Sequence, residues 1–544
     1  MQYGQMMDQP LLISSLIKHA EQYHGDTEVV SRLSDGSIHR YTWAEAARRA
    51  RQLANALGTL GLKPGECIGT MAWNTYRHLE AYYAISGLGA ICHTVNHRLF
   101  PDQVRYIVDH AEDRALLFDA DFLPLVERLA PELPHVRTWI LLGARAQMPA
   151  HSPLANLLCY EDLVASHSDH YAWPQFDERT ASGLCYTSGT TGHPKGVLYA
   201  HRSTVLHALA NSLPDAFDLS AGSCVLPVVP MFHVNGWGLP YSAALNGIKL
   251  VLPGNRLDGA SIHQLIVEEE VTMATGVPTV WLNLLQHCET NRLRLHGLKR
   301  VVVGGSAVPD SMTEHLAEHG VELRQLWGMT EMSPCGTMSA PKFKHRHGGT
   351  ALMRQLQATQ GRPLFGVEMR IVDGAGEPLP HDGVAFGNLQ VRGPWVLSRY
   401  FKRDLDASHT DDGWFNTGDV AKLDADGYMR ITDRTKDVIK SGGEWISSIE
   451  LENILMGHPA VAETAAVAAP HPKWDERPVM VVVLKQGTQA TRDELLQFFQ
   501  GKVAKWWIPD DVLFVDELPH TATGKLQKLK LREMLRDHRW PNDQ

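Results

Sequence analysis

The chain has 544 residues, which is too long for one compact core and predicts two or more domains. Its composition, 44% hydrophobic and 21% charged residues, is that of a soluble globular protein and excludes collagen-like, coiled-coil and disordered chains. A formal net charge of −10 lacks the basic field that nucleic-acid binders carry, so nucleic acid is not an expected partner.

The sequence contains no run of about 18 uninterrupted apolar residues, and this argues against a membrane span. Its first residues show neither a basic start with an apolar stretch nor a small-residue cleavage site, so we expect a cytoplasmic protein. The seven cysteines are an odd number without a CxxC pair. They fit a reducing compartment and offer neither a disulfide framework nor a zinc site.

Alternating α and β elements are predicted from the N-terminus to about Gly361. Thr42 and Glu45 form a capping-box signature at the start of a helix. Further along, Val301–Val303 has the character of a buried strand, Gly304–Ser306 is a turn, and a helix follows. Strand–turn–helix units of this kind predict parallel sheets, whose ligands bind at the carboxyl ends of the strands.

The segment YTSGTTGHPKGVLYAHR (186–202) places glycines, hydroxyls and one lysine between apolar flanks, which predicts a strand–loop–strand hairpin. Glycines let backbone N–H groups approach an anion closely, while Thr187 and Lys195 add a hydroxyl and a charge. A polyphosphate is therefore the expected guest, with a plain glycine-rich surface turn as the alternative. The segment is not a Walker loop, because Pro194 precedes the lysine and Gly196 follows it.

The pattern changes after Gly361, where short alternating strands separated by Gly, Pro and Asp turns predict a small antiparallel barrel. A third pattern follows, in which two helices with capping signatures at Ser447 and Thr491 enclose two strands. We therefore predict a separate α+β domain. The expected division is 1–433 and 434–544.

Five ordered motifs carry a resemblance to a known superfamily. They are TSGTTGHPKG (187–196), QLWGMTEMSP (325–334), GWFNTGDV (413–420), ITDRTKDVIKSGGEWIS (431–447) and LPHTATGKLQKLKLRE (518–533). The set resembles the adenylate-forming enzymes, which comprise acyl-CoA synthetases, amino-acid-activating domains of peptide synthetases, and luciferases. Over nearly its whole length the chain looks closest to bacterial medium- and long-chain fatty acyl-CoA ligases and to relatives that activate methylmercaptopropionate.

This resemblance implies an α/β fold. A large N-terminal domain of two parallel-type αβ sheet subdomains plus a small β-barrel would bind ATP and the acyl group. A small mobile α+β C-terminal domain would follow, carrying the catalytic Lys525 and covering the CoA side of the site. Lys436 is the implied hinge about which that domain turns between half-reactions.

The resemblance also implies a ligase that uses ATP, Mg²⁺ and CoA. A carboxylate would attack the α-phosphorus to give acyl-AMP and pyrophosphate, and a thiol would then displace AMP, with positioning and charge stabilisation as the main catalytic effects. Catalytic roles are implied for Lys525, Thr330, Glu331 and His233, and Mg²⁺ ligation for Glu331 and Thr187. The implied ATP and AMP contacts are Thr187, Ser188, Gly189, Thr190, Thr191, Gly192, Lys195, Gly304, Gly305, Ser306, Gln325, Trp327, Gly328, Thr330, Asp419, Arg434, Lys436 and Lys440.

Individual nucleotide roles follow from the same resemblance. Asp419 would accept both ribose hydroxyls, Trp327 would offer a flat face to adenine, and Arg434 would contact ribose or phosphate. A turn aspartate and a core aromatic are the alternatives for the first two. Lys528 and Lys530, near the catalytic lysine, are expected on a solvated face.

The acyl and CoA contacts are implied in two further segments. His233, Val234 and Trp237 are the expected acyl contacts, and Gly442, Gly443 and Trp445 are the expected CoA contacts. The run VVPMFHVNGWGLPYSAAL (228–245) contains no acidic residue to pair with a substrate ammonium, which disfavours amino acids. A satisfied core histidine is the alternative for His233.

A medium-chain fatty acid is the expected substrate and free CoA the expected thiol. Methylmercaptopropionate and aryl or long-chain acids are alternatives with the same mechanism, and a luciferase-like oxygenase is the alternative of another class. Two residues keep open roles: Trp395 either reorganises between states or belongs to the barrel core, and Gly236 would loosen the acyl gate. Relatives are often homodimers, and nothing in the sequence opposes that state.

Overall fold

The computed structural model describes residues 1–2, 4–187, 193–306, 308–404, 408–441, 444–520, 526–536 and 538–540. The helices in these ranges are α1 (Ile13–His24), α2 (Trp43–Thr59), α3 (Tyr76–Gly87), α4 (Pro101–Ala111), α5 (Leu123–Leu129), α6 (Tyr160–Ala165), α7 (His201–Ser212), α8 (Leu239–Asn246), α9 (Gly259–Glu268), α10 (Pro278–Asn291), α11 (Asp310–Glu318), α12 (Gly349–Gln357), α13 (Ser448–Met456), α14 (Arg492–Gln497) and α15 (Lys528–Met534).

The strands form four sheets. They are β1 (Glu28–Arg32), β2 (Ile38–Thr42), β3 (Cys67–Met71), β4 (Ile91–Thr94), β5 (Ala115–Phe118), β6 (Thr138–Leu141), β7 (Leu157–Cys159), β8 (Ala181–Tyr186), β9 (Gly196–Ala200), β10 (Cys224–Pro227), β11 (Lys249–Leu252), β12 (Met273–Gly276), β13 (Arg300–Gly304), β14 (Glu322–Gly328), β15 (Cys335–Met338), β16 (Arg362–Pro363), β17 (Glu368–Val372), β18 (Phe386–Arg392), β19 (Phe415–Leu423), β20 (Met429–Arg434), β21 (Ile439–Ser441), β22 (Glu444–Ile446), β23 (Val461–His471), β24 (Asp475–Leu484) and β25 (Asp511–Phe514).

The first sheet has seven strands in the order β7-β6-β5-β3-β4-β8-β9. All neighbours are parallel except β8 and β9, which form an antiparallel pair at one edge. Strands such as β5, with the fully buried sequence ALLF, are apolar throughout because helices cover both faces of a parallel sheet.

The second sheet has nine strands in the order β16-β15-β14-β13-β12-β10-β11-β1-β2. Its centre, from β14 to β1, is parallel, whereas β2, β15 and β16 pair antiparallel at the two ends. The predicted strand Val301–Val303 forms the middle of β13, and a helix begins at Asp310 after the glycine turn. The prediction of two parallel-type sheets is confirmed.

Helix α2 begins with the predicted capping box. The Thr42 side chain accepts the Glu45 N–H, and the Glu45 carboxylate accepts the Thr42 N–H at 2.9 Å. This helix packs against α1 and α3 with its buried alanines and leucines. No helix in the described ranges is both long and apolar enough to cross a membrane.

The segment predicted as a small barrel is a four-stranded antiparallel sheet in the order β17-β18-β19-β20. Among the described residues β17 and β20 are its two edge strands. The free edge of β20 is used by the chain entering β16: the Gln360 N–H donates to the Met429 carbonyl at 2.9 Å, and the Met429 N–H donates to the Gly361 carbonyl at 2.7 Å. This sheet is therefore joined to the second sheet.

The last sheet contains β22-β21-β24-β23, with β25 parallel to β24. Two apolar clusters, drawn only from residues after Val438, pack on it. Ser447 caps α13 and Thr491 caps α14 as predicted. Separate apolar clusters support the proposed division near residue 434.

Candidate active site

The glycine-rich segment is carried by the β8–β9 hairpin, as predicted. Tyr186 pairs with Gly196, and the pairing continues one step further, because the Thr187 N–H donates to the Lys195 carbonyl at 2.9 Å and the Lys195 N–H donates to the Thr187 hydroxyl at 3.1 Å. Ser188–Gly192 lie outside the described residues. The hairpin leaves the carboxyl end of β8, where parallel sheets bind ligands.

Aromatic contacts fix the two arms of this hairpin. The His193 ring stacks on Tyr106 at a centroid distance of 4.4 Å, and Tyr106 in turn stacks on His110 at 5.3 Å. His110 Nδ1 also lies 2.7 Å from the Tyr186 hydroxyl. Helix α4 therefore holds both arms, a role that the sequence analysis missed because no motif marks Tyr106.

Glu331 lies directly beyond β14, in a short 3-10 turn at Thr330–Met332. It is buried, and its Oε1 atom accepts the Tyr400 hydroxyl at 2.7 Å. Burial raises the pKa of the Glu331 carboxyl, and the Tyr400 hydroxyl and the charges of Arg434 and Lys195 oppose that rise. Lys195 Nζ lies 4.5 Å from the centroid of the Tyr400 ring.

Tyr400 therefore contacts both Glu331, the predicted Mg²⁺ ligand, and Lys195, the predicted phosphate-binding lysine. No sequence motif indicated Tyr400. Thr330 is fixed beside them, because its carbonyl accepts the Tyr199 hydroxyl at 2.6 Å. The two large sheets meet here, since Tyr199 belongs to β9 and Thr330 follows β14.

Asp419 is buried on β19 between two predicted nucleotide residues. It accepts the Trp327 Nε1–H at 2.9 Å, and its other oxygen lies 2.7 Å from Arg434 Nε. Trp327 is 7% exposed and packs against Gly336, where an ideal Cβ would lie 2.8 Å from the indole. The structure therefore brings Trp327, Asp419 and Arg434 into one cluster, with the indole N–H directed at the carboxylate.

Gln325 uses both ends of its side-chain amide on the chain that enters β16. Its Nε2 donates to the Gln357 carbonyl at 2.8 Å, and its Oε1 accepts Gln360 Nε2 at 3.1 Å. Its described contacts therefore hold the end of α12 beside β14. Gly328 permits the tight turn that follows, because an ideal Cβ there would lie 1.9 Å from the Pro334 carbonyl oxygen.

The predicted acyl segment contains an unusual left-handed turn, Val234–Gly238, immediately after the partly buried His233. The φ angles are 41° at Val234, 45° at Asn235, 58° at Gly236, 55° at Trp237 and 76° at Gly238. Left-handed backbone costs L-residues roughly 1–2 kcal/mol each, so surrounding contacts must hold it. Gly236 meets this backbone requirement, which is a structural reason for glycine there.

Trp237 connects the acyl turn with the glycine turn after β13. The indole is 6% exposed, and an ideal Cβ on Gly304 would lie 3.1 Å from its Cη2 atom. Gly305 continues the turn with a φ of 88°, and Ser306 is exposed. The predicted acyl segment and the predicted nucleotide turn are therefore neighbours.

Trp395 is buried, and its Nε1–H donates to the Cys335 carbonyl at 3.1 Å. An ideal Cβ on Gly366 would lie 2.7 Å from its ring. Of the two roles left open for it, packed core is the one seen in this structure. Cys335 itself is the first residue of β15, directly after the segment that holds Glu331.

At the junction with the last domain, the predicted exposure of Lys528 was wrong. Lys528, predicted on a solvated face, is partly buried: its Nζ lies 2.6 Å from Glu452 Oε1 and donates to the Ser448 hydroxyl. Burial disfavours the Lys528 ammonium, but the carboxylates of Glu452 and Asp433 outweigh that effect and raise its pKa. An exposed position was predicted for Lys528 because its side chain is charged and its partners are distant in the sequence.

The other predicted junction residues lie near this cluster. Lys436 offers its carbonyl to Arg532, which also lies 2.8 Å from Asp437 Oδ1. Lys440 is in β21, paired with Trp445 of β22. The expected CoA residues Gly442 and Gly443 and the expected catalytic residue Lys525 lie outside the described residues.

Comparison with known proteins agrees with this arrangement. The profile of the AMP-binding enzyme family matches residues 16–401, and that of the AMP-binding enzyme C-terminal domain matches residues 450–525. A 3-methylmercaptopropionyl-CoA ligase from Ruegeria lacuscaerulensis is 54% identical over 98% of this chain and 99% of its own. A medium-chain-fatty-acid–CoA ligase from Ectopseudomonas oleovorans is 51% identical over 98% of both.

Solved structures share the fold. The crystal structure of an anthranilate CoA ligase in complex with anthranoyl-AMP superposes with a TM-score of 0.85 at 26% identity, covering 97% of this chain and 98% of that one. The family profiles together reach most of the sequence, and the two relatives named above align almost end to end. This chain therefore belongs to the AMP-binding enzyme family, whose members are acid–thiol ligases.

Proposed function

We propose that this protein is an ATP-dependent acyl-CoA ligase that activates a medium-chain carboxylic acid. The acid and ATP give acyl-AMP and pyrophosphate, and the CoA thiol then displaces AMP to give acyl-CoA. The observation that carries the proposal is the contact of Tyr400 with both Glu331 and Lys195. It supports Glu331 as the carboxylate that binds Mg²⁺ and Lys195 as the cation that binds phosphate, both at the carboxyl ends of the two large sheets.

The donor set fits Mg²⁺ bound together with ATP. Glu331 supplies a buried carboxylate, and Thr187 at the start of the hairpin supplies a hydroxyl; both are the oxygen ligands that Mg²⁺ prefers. The described residues contain no group of three or more His, Cys, Asp or Glu side chains that could hold a metal by themselves. A single protein carboxylate supplemented by substrate phosphates is the usual arrangement for nucleotide-bound Mg²⁺.

The remaining nucleotide roles are proposed from the charges and contacts of Asp419, Trp327 and Arg434, and from the family resemblance for the hairpin and Lys525. Asp419 accepts the ribose hydroxyls, with Trp327 orienting its carboxylate and Arg434 offsetting its charge. Lys195 and the hairpin N–H groups bind the outer phosphates. Lys525 bridges the acid carboxylate and the α-phosphate as negative charge develops in the transition state.

The acyl chain is proposed to lie beside the turn Val234–Gly238, which is buried and contains no ionisable side chain. An apolar surface of this kind suits an aliphatic chain and disfavours an amino acid, whose ammonium would lack a partner. The 51% identical relative is named for medium-chain fatty acids, which supports that acid class.

A second candidate acid is 3-methylmercaptopropionate, because the 54% identical relative is named for that substrate. Its chain has the same number of heavy atoms as pentanoate, with a thioether sulfur in place of one methylene. Comparing kcat/KM for 3-methylmercaptopropionate and for pentanoate therefore tests whether the enzyme recognises the sulfur atom, because the two chains are equally long.

The test is release of pyrophosphate with CoA present, across straight-chain acids from acetate to palmitate, with 3-methylmercaptopropionate and benzoate added. We expect AMP and pyrophosphate to appear only with an acid, and kcat/KM to be greatest for acids of about six to ten carbons. If kcat/KM for 3-methylmercaptopropionate exceeds that for pentanoate more than about tenfold, the second candidate replaces the first. Release of ADP, or acid-independent turnover, would contradict ligase function altogether.

A further inference from the structure

One face of helix α7 contacts two separate parts of the site. His207 and Asn211 are four residues apart and therefore lie on the same face of the helix, and they are only 2% and 0% exposed. Asn211 Nδ2 donates to the Trp237 carbonyl at 3.0 Å. One turn earlier, His207 Nε2 accepts the Cys335 N–H at 3.1 Å.

The Cys335 contact fixes the strand that follows Glu331. Cys335 begins β15, and its carbonyl also accepts the Trp395 Nε1–H at 3.1 Å. Since Glu331 lies four residues earlier in the same segment, a shift of Cys335 would move the proposed metal ligand. His207 therefore acts on the nucleotide side of the site.

The Trp237 contact holds the left-handed turn. Left-handed backbone conformation is unfavourable for Val234 and Trp237, and it persists only where surrounding groups fix it. Gly238 lies against His207, where an ideal Cβ would come within 2.7 Å of the imidazole. The same two side chains of α7 thus contact the turn by a hydrogen bond and by direct packing.

His207 is suited to this bond in its neutral form. A backbone N–H can only donate, so Nε2 must accept and the ring proton must lie on Nδ1. Asn211 Nδ2, 3.4 Å from Nδ1, is then not bonded to the ring and donates to the Trp237 carbonyl. Complete burial lowers the pKa of His207 to about 3, so the ring stays neutral near neutral pH. The ring can therefore accept the Cys335 N–H throughout the neutral pH range.

We propose that His207 and Asn211 are positioning residues that clamp the acyl turn to the strand following Glu331. The clamp sets the position of the acyl chain relative to the phosphates, and with it the preferred chain length. This inference rests on the proposed function, since it assigns the acyl chain to the Val234–Gly238 turn. Neither side chain needs to touch a substrate.

The first test is Asn211→Asp, which keeps the shape of the side chain but turns the donor toward Trp237 into an acceptor. We expect KM for the preferred acid to rise at least tenfold and the optimum to shift by at least two carbons, while KM for MgATP stays within twofold. Asn211→Leu removes the donor without adding a charge and replaces the aspartate variant if that variant does not fold. Leu209→Ala, on the exposed face of the same helix, is the matched control and should match wild type.

The second test separates the hydrogen bond of His207 from its bulk. His207→Leu loses the acceptor and should raise KM for the acid at least tenfold, whereas His207→Gln keeps an acceptor and should stay within threefold of wild type. Folded His207→Leu and Asn211→Asp variants with unchanged acid KM and unchanged chain-length profile would overturn the clamp. A wild-type enzyme that uses no carboxylic acid would instead overturn the proposed function.

Discussion

The Tyr400 hydroxyl donates a hydrogen bond of 2.7 Å to Glu331, a carboxylate that is only 6% exposed. Burial raises the pKa of Glu331, and this bond is the leading effect that opposes the rise, because a donor stabilises the ionised form. The same ring lies 4.5 Å from Lys195 Nζ. The Tyr400 hydroxyl therefore stabilises the ionised form of Glu331, and the Tyr400 ring positions Lys195.

Tyr400→Phe is expected to move the acidic limb of the kcat/KM profile for MgATP to higher pH. Only the ionised carboxylate binds Mg²⁺, and loss of the donor raises the pKa of Glu331 further. Hydrogen bonds to charged groups contribute about 1.5–3 kcal/mol, so the limb should move by about 1 to 2 pH units. The phenyl ring keeps the contact with Lys195, so activity at high pH should largely survive.

Tyr428→Phe is the matched control for that change. Tyr428 is also buried, but its hydroxyl donates to the Ala340 carbonyl at 2.8 Å and not to Glu331. Its pH profile should coincide with that of wild type. If the acidic limb of the Tyr400→Phe profile stays at its wild-type pH, the Tyr400 hydroxyl does not influence the pKa of Glu331.

Trp327→Phe is expected to raise KM for ATP about tenfold while leaving KM for the acid within twofold. The substitution removes the Nε1–H that orients Asp419, and a bond to a charged acceptor is worth about 1.5 kcal/mol or more. Trp43→Phe makes the same chemical change in the core, where Nε1 donates to the Ile248 carbonyl, and should lower stability without a selective effect on ATP. A selective rise of the acid KM would argue against the ribose assignment.

Local chemistry made much of the fold predictable. The capping boxes at Thr42 and Thr491 were read correctly because the cap and its partner are three residues apart. The β8–β9 hairpin was predictable for the same reason: apolar flanks and a glycine-rich loop are contiguous in the sequence. Features of this kind depend on interactions within one short segment.

Features that depend on distant partners were not predictable. The partly buried position of Lys528 depends on Glu452, 76 residues away, and the edge of β20 pairs with Gly361. Tyr400 carries no motif, and its importance appears only where it meets Glu331. The left-handed backbone at Val234 and Trp237 contradicts the preference of both residue types, so only the neighbouring glycines hinted at it.

Lys525→Ala is expected to abolish formation of acyl-AMP, lowering the rate at least a hundredfold, while thioester formation from supplied acyl-AMP stays within about threefold of wild type. The proposed role of Lys525 is to stabilise charge at the α-phosphate, which matters only in the first half-reaction. Lys530→Ala, an exposed lysine of α15, is the control. Equal losses in both half-reactions would contradict that role.

Asp433, near the end of β20, binds Ser448, the first residue of helix α13. It accepts the Ser448 N–H at 2.6 Å and the Ser448 hydroxyl at 3.0 Å, and the charge of the partly buried Lys528 acts on it. Burial raises the pKa of Asp433 to about 6, and the Lys528 charge opposes the rise. The folded protein therefore binds a proton here more tightly than the unfolded chain does.

The sign of the pH dependence follows from that difference. Between the ordinary aspartate pKa and about 6, the folded state holds more protons, so the contribution of Asp433 to stability falls as pH rises through this window. Asp433→Asn cannot titrate. The free energy of unfolding of the variant, relative to wild type, should therefore rise by about 3 kcal/mol between pH 3.5 and 7, measured by urea unfolding. The exposed Asp516→Asn should leave the wild-type curve unchanged, and parallel curves for Asp433→Asn and wild type would show that this carboxyl does not titrate on folding.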